Sequence, residues 1–143
     1  EYDPCDLAAM LARMIAKDLK VLYGSRYLGG GRRERSLYPA FYYGVRLLSV
    51  FANLLYRQQI TDEATCYKMF RTDLLRSLHL KCRGFEFCPE VTARVSLKGI
   101  RIDEMAISYV PRSISEGKKI KISDGLYAFL ILLKYRFKIP SEL

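Results

Sequence analysis

Histidine is almost missing from this chain: His79 is the only one in 143 residues. The four cysteines, Cys5, Cys66, Cys82 and Cys88, form no CxxC pair and no zinc-ligand spacing. Together these scarcities argue against a Cys/His metal site. The cysteines are read instead as reduced thiols of a reducing compartment. No apolar run approaches the roughly 18 residues of a spanning helix, and no secretory leader pattern opens the chain. No segment is therefore expected to cross a membrane. There is no GxSxG elbow, no HExxH and no GxxxxGK[ST] loop. Gly29-Gly30-Gly31 is followed by no helix in the register that a dinucleotide fingerprint needs.

What the chain does have is positive charge. Twenty-four Lys and Arg stand against 15 Asp and Glu, a net charge of +9. Such an excess suits nucleic acid, anionic lipid headgroups or a phosphorylated substrate, and charge alone does not rank the three. Half the residues are hydrophobic and 27% are charged, a composition that fits one folded domain with one core rather than disorder. The opening Glu1-Tyr2-Asp3-Pro4 has no initiating Met, so the chain is expected to be a piece of a longer one.

Periodicity places the elements. Asp3-Pro4-Cys5-Asp6 suits a helix start, and Leu7, Met10, Leu11, Met14 and Ile15 recur at helical spacing to about Lys17. Val21-Leu22-Tyr23 reads as a buried strand delivering Ser25 and Arg26 to a loop. The glycine- and arginine-rich stretch from Leu28 to Ser36 is expected to be a mobile loop. Residues 40 to 57 are helical and mostly apolar, with Arg46, Ser49, Asn53 and Arg57 as a narrow polar stripe; such a helix is buried or rests on something apolar. A polar turn from Ile60 to Thr65 precedes a short strand at Cys66–Phe70 and a short helix at Thr72–Leu78. Phe85-Glu86-Phe87 alternates briefly, and a helix over Pro89–Lys98 has Val91, Val95 and Ser96 near its buried side. An extended segment over 100–109 carries a bulge at Asp103-Glu104. A basic loop from Pro111 to Lys121 leads to a last helix over Asp124–Phe137, which either packs on the domain or sits at a lipid surface. The mixture predicts an α/β domain whose strands are too few for a complete doubly wound sheet.

Read from the residues alone, this is a basic α/β domain with two loops suited to clamping phosphate, because guanidinium and ammonium groups make charge-assisted bonds to phosphate oxygens. Several residues keep two readings. Asp62 suits a turn cap as well as a substrate contact. Glu90 suits a first-turn acid complementing its helix. Arg32 to Arg35 suit a solvated charge run, and Tyr38, Phe41, Tyr42 and Tyr43 suit a core as well as a membrane interface.

The order of motifs goes further. Tyr23-Gly24-Ser25-Arg26 is followed by Thr61-Asp62-Glu63-Ala64-Thr65-Cys66-Tyr67-Lys68 and by Gly84-Phe85-Glu86-Phe87-Cys88-Pro89-Glu90. Then come Ile107-Ser108-Tyr109-Val110-Pro111-Arg112, Glu116-Gly117-Lys118-Lys119-Ile120 and Asp124-Gly125. This series resembles the family 2 glycosyltransferases of the dolichol-phosphate mannosyltransferase type over nearly the whole chain. The resemblance implies an incomplete GT-A, Rossmann-like domain: residues 1–143 would be its C-terminal, acceptor-side part, without the nucleotide-binding part. It implies transfer of a sugar, with inversion, from a nucleotide sugar to a polyprenyl (dolichyl or undecaprenyl) phosphate.

Mg or Mn is the implied metal, with Glu1 as the one ligand inside the chain. Arg26, Arg32, Arg33 and Arg35 are implied to lie near the acceptor phosphate, and Arg112, Lys118 and Lys119 on a second closing loop. Asp62 is implied to face the reaction centre as substrate contact or base, with Glu90 as a second carboxylate of unassigned role. The implied location is the cytoplasmic face of a membrane, with peripheral membrane contact, and the isolated piece is expected to be inactive. A phosphate acceptor is already largely ionised, its second pKa being about 6, so it calls for a cationic clamp more than for a strong base. A rival within the family uses a hydroxyl acceptor and would make Asp62 the base. A nucleic-acid-binding domain is the remote alternative, disfavoured because the arginines are split between distant loops.

Overall fold

Strand β1 (Val21–Ser25) is buried along its whole length and forms the centre of a three-stranded sheet. The computed structural model that shows this describes residues 2–29, 39–111 and 122–137. Of the residues singled out above, Glu1, Arg32, Arg33, Arg35, Arg112, Lys118 and Lys119 lie outside that range, as do most of the two expected loops.

On one side β1 pairs antiparallel with β2 (Lys68–Phe70), and on the other parallel with β3 (Asp103–Ala106). The parallel register runs without interruption from Leu22 opposite Asp103 to Ser25 opposite Ala106. The bulge expected at Asp103-Glu104 is therefore not formed: both residues take ordinary ladder positions. Side-chain alternation sorts β1 between two cores. Val21 and Tyr23 enter the large one, and Leu22 enters a small one with Met10 and Met14.

Helix α1 (Cys5–Ala16) covers the small core. Its start follows the sequence logic, with Pro4 at the N-cap and the Asp3 carboxylate accepting the Cys5 amide at 2.9 Å. Its end is a Schellman turn: Leu19 N–H reaches Met14 O at 2.9 Å and Asp18 N–H reaches Ile15 O at 3.2 Å, with Asp18 at φ 52°. Only Met10 and Met14 are buried; Leu7, Leu11 and Ile15, which share their helical spacing, are exposed.

The large core lies on the other face of the sheet. It is built from α2 (Pro39–Tyr56), the short α3 (Thr72–Ser77), α4 (Phe87–Leu97) and α5 (Ile122–Phe137). Helix α4 is buried from Pro89 through Val95, not merely on a Val91–Val95 side, because sheet and helices enclose it. Its first turn absorbs Phe87, so the brief alternation at 85–87 is a helix entry and not a strand. Gly99, at φ 71°, closes it with a second Schellman turn, Ile100 N–H to Val95 O at 3.3 Å and Gly99 N–H to Ser96 O at 2.9 Å. The domain is mixed α/β, and among the described residues no helix is long and apolar enough to cross a membrane.

Candidate functional site

The carboxyl end of β1 delivers Ser25 and Arg26 to a loop, Arg57 to Tyr67, that α2 holds in place. The polar stripe of α2 is the holding device. Arg46 donates to Thr61 O at 3.1 Å, and Ser49 Oγ accepts the Glu63 amide at 2.9 Å. Asn53 donates to Ile60 O at 2.8 Å and accepts the Ile60 amide at 2.9 Å, as a neighbouring strand would. From the other side, Gln58 binds Ser96, Ile100 and Ile102 through its amide group. These bonds satisfy polar groups that a half-buried loop would otherwise leave unpaired.

Arg26 and Asp62 meet where this loop faces β1. Arg26 Nε lies 2.7 Å from Asp62 Oδ2 and one terminal nitrogen 2.7 Å from Oδ1, a two-point fork of the kind that fixes orientation as well as charge. The Arg26 amide also donates to Oδ2 at 3.0 Å. Asp62 is fully buried. The guanidinium lies 5.3 Å from the Tyr27 ring centre and 5.1 Å from that of Tyr109, within cation–π range of both. Burial works against its charge, but the Asp62 carboxylate more than offsets this and raises the Arg26 pKa well above its ordinary value.

A carboxylate from β3 supports the pair. Glu104 accepts the Thr61 amide at 2.8 Å and the Thr61 hydroxyl at 2.9 Å on one oxygen, and the Asp62 amide at 3.1 Å on the other. The Thr61 hydroxyl is also 2.6 Å from Ser25 Oγ, which accepts the Tyr27 and Leu28 amides. Burial raises the Glu104 pKa, against the opposing pull of the Thr61 and Asp62 donors. An open cleft of about 420 Å³ runs past the same contact, lined among others by Arg13, Gln59, Thr61, Arg101, Asp103 and Glu104.

Behind Asp62 the chain is tightly closed. Gly24 permits this, since a Cβ there would stand 2.8 Å from Ile107 Cγ2 and 3.1 Å from Tyr67 Cβ. Glu63 is fully buried, and its two carboxylate oxygens complete no hydrogen bond. Burial raises its pKa; Lys68 and the Thr92 hydroxyl, which lies outside bonding geometry, pull the other way. The Lys68 ammonium donates to Glu63 O at 2.5 Å and lies 3.9 Å from the Tyr23 ring centre. Cys88, beside this group, has its thiol pushed up to about 11 by burial, so it is a protonated packing residue.

Glu90 stands apart from the Arg26–Asp62 pair. One of its oxygens accepts Arg94 Nε at 2.9 Å, one turn along the same helix, and the Lys81 amide at 2.8 Å. Arg94 in turn lies 4.9 Å from the Tyr135 ring centre. Burial opposes ionisation of Glu90, but the Lys81 amide, Tyr135 and Arg94 prevail and lower its pKa. Among the described residues no three His, Cys, Asp or Glu side chains come together to hold a metal ion.

The structure thus joins Arg26 to Asp62 and keeps Glu90 on a separate network. Glu104, Thr61 and the tyrosine rings escaped the reading of residues. An acid on a short strand carries no signal of what it caps, and its Thr61 partner is 43 positions away in sequence.

Two named proteins are similar to this chain. An undecaprenyl-phosphate mannosyltransferase of Micrococcus luteus is 28% identical over 156 residues, covering 99% of the chain and 57% of that protein. A low-salt glycan biosynthesis hexosyltransferase, Agl6, of Haloferax volcanii is 29% identical over 125 residues, covering 87% of the chain and 30% of that protein. The chain therefore spans less than two thirds of either relative. No family model matches it, and no solved structure does. The resemblance to glycosyltransferases drawn from the order of motifs is borne out, since both relatives are named as such.

Proposed function

We propose that this chain is the acceptor-side part of a family 2 glycosyltransferase domain of GT-A fold. It serves inverting transfer of a hexose from a nucleotide sugar to a polyprenyl phosphate at a membrane face. The observation that carries this reading is the Arg26–Asp62 fork at the carboxyl end of the central strand, where open α/β sheets bind their ligands. Both Asp62 oxygens are occupied by donors from Arg26. A carboxylate so engaged orients a guanidinium better than it takes a proton. That supports a phosphate acceptor, which brings its own nucleophilic oxygen, over a hydroxyl acceptor, which needs a base.

In this reading the described residues orient and exclude water. Glu104 holds the Thr61–Asp62 turn, Asp62 aims Arg26, and the Tyr27 and Tyr109 rings flank its guanidinium. Arg32, Arg33, Arg35, Arg112, Lys118 and Lys119 complete the proposed phosphate clamp, and Glu90 keeps α4 and the Lys81 loop in register behind it. Mg or Mn with Glu1 among its ligands belongs to the same proposal. The metal would neutralise the donor diphosphate; the described residues by themselves bring together no set of three metal-ligating side chains.

The test is sugar transfer by the longer protein containing this chain, with a panel of nucleotide sugars and polyprenyl phosphate, with and without divalent metal. Metal-dependent formation of a lipid-linked sugar is expected, and Arg26→Lys, which cannot fork, should reduce it at least tenfold. Transfer to hydroxyl acceptors alone would overturn the acceptor assignment and make Asp62 the base.

A further inference from the structure

Tyr2 belongs to neither segment that forms the Arg26–Asp62 fork, yet it touches both sides of it. It stands just before α1 and makes an isolated antiparallel bridge with Tyr109. The Tyr109 segment carries the sheet on past β3, since the Ile107 amide donates to Ser25 O at 3.1 Å. The Tyr2 ring lies 5.0 Å from the Tyr109 ring and 4.7 Å from the Tyr67 ring, the spacing of favourable aromatic pairs. Its hydroxyl accepts the Cys66 amide at 3.1 Å. The first turn of α1 adds a tie to the same segment, with Asp6 Oδ2 accepting the Ser108 amide at 2.7 Å.

Each contact bears on one half of the fork. Tyr109 is the ring that lies 5.1 Å from the Arg26 guanidinium, so Tyr2 supports a wall of the arginine. Tyr67 is fixed to β1 two residues before Arg26, its carbonyl accepting the Gly24 amide at 2.7 Å. Cys66 belongs to the loop that carries Asp62, so the Tyr2 hydroxyl steadies the carboxylate's side. Burial raises the Tyr2 pKa, with the Arg26 guanidinium opposing it, so the hydroxyl keeps its proton.

We infer that Tyr2 is a positioning residue for the Arg26–Asp62 fork, acting on the guanidinium through Tyr109 and on the carboxylate through the Cys66 amide. The inference rests on the proposed use of Arg26 at the acceptor phosphate. A guanidinium keeps its donors in one plane, and it receives a phosphate well only when that plane is fixed. Loosening either side of the fork therefore weakens the hold on the acceptor and leaves the donor's binding alone. A merely local task, capping α1, is already filled by Pro4 and the Asp3 carboxylate.

The experiment follows hydrogen exchange of the Arg26 Nε–H in the longer protein, isotope-labelled at arginine Nε. Arg94 Nε–H is the internal reference, because it too bonds a buried carboxylate. Tyr2→Phe removes only the hydroxyl and should quicken Arg26 exchange about fivefold, near the worth of one hydrogen bond. Tyr2→Leu also removes the ring and should quicken it about tenfold, as should Tyr109→Leu. Arg94 should not change in any of the three. In sugar transfer the KM for polyprenyl phosphate should rise by similar factors, while the KM for the nucleotide sugar holds. Arg26 exchange that stays level with Arg94 in both Tyr2 variants overturns the inference. So does equal quickening of both arginines, which marks a general loss of stability. Quickened exchange at Arg26 with an unmoved acceptor KM also overturns it, leaving Tyr2 a structural tie. A wild-type protein that transfers no sugar sinks the proposed function instead, and the exchange comparison then still decides whether Tyr2 holds the fork.

Discussion

Among the described residues are two buried guanidinium–carboxylate pairs, and they are built differently. In Arg26–Asp62 the side chains are 9% and 0% exposed; in Arg94–Glu90 they are 7% and 3% exposed. The second joins residues one helical turn apart, so α4 alone brings them together. The first joins a strand end to a loop 36 positions later, and needs the α2 stripe and Glu104 to hold that loop. Burying any ion pair costs solvation, which a two-point fork and further hydrogen bonds offset. The Arg26–Asp62 pair ties two distant segments together at the carboxyl end of β1, where the proposed function puts it to use. One assembled within a single buried helix explains itself as a clamp between α4, the Lys81 amide and Tyr135.

The most damaging way to break this contrast is Asp62→Ala. It leaves Arg26 buried without its carboxylate and should cost about 3–5 kcal/mol of folding stability, seen in urea unfolding. Arg26→Ala/Asp62→Ala should recover part of that loss, since no charge is then stranded. Losses that simply add would show the two residues to be uncoupled.

Next comes Glu90→Gln, expected to cost on the order of 2 kcal/mol near neutral pH. Its folded-state pKa is lowered, so the stabilisation it gives is fully present above the unfolded value of about 4.3. It is lost as pH falls through the lowered folded value. Glu90→Gln should therefore flatten the acid limb of stability against pH, and an unchanged limb would remove Glu90 from the clamp.

Glu63 should behave with the opposite sign. Burial raises its folded-state pKa, so its favourable contribution is present below about 4.3 and lost as pH rises through the raised value. Glu63→Gln should make the chain more stable at pH 8 and change little at pH 4, by thermal melting. A loss at pH 8 would mean that the ionised form has a partner.

The smallest effect belongs to Arg13–Asp103, 2.8 Å apart with both side chains 35% exposed. Solvent screens this pair, and Arg13→Ala should cost about 0.5 kcal/mol or less, shrinking further in salt. A loss as large as that of Asp62→Ala would show that burial is not what separates the pairs.

Much of this architecture was legible beforehand. The helical spacing to about Lys17 and over 40–57, the buried run Val21-Leu22-Tyr23, and the helix over Pro89–Lys98 are local patterns with local causes, and they fall within a residue or two of α1, α2, β1 and α4. The polar stripe Arg46, Ser49 and Asn53 was visible as a stripe, but its purpose was not, because its partners are carbonyls and amides of another segment. On α1 the spacing was right, yet only Met10 and Met14 are buried, because a helix on the thin side of a three-stranded sheet has only Leu22 and its neighbours to cover.

By itself the sequence determined the element order, the positive charge, and the motif series that ties the chain to the two glycosyltransferases. Only the tertiary structure decided that Asp62 binds Arg26 with both oxygens, that Glu104 steadies the turn, and that Glu90 serves a different network. The physical reason is range. Periodicity, caps and charge act over a turn or two of chain, whereas the partner of a buried carboxylate is chosen by what the fold brings within three ångströms of it.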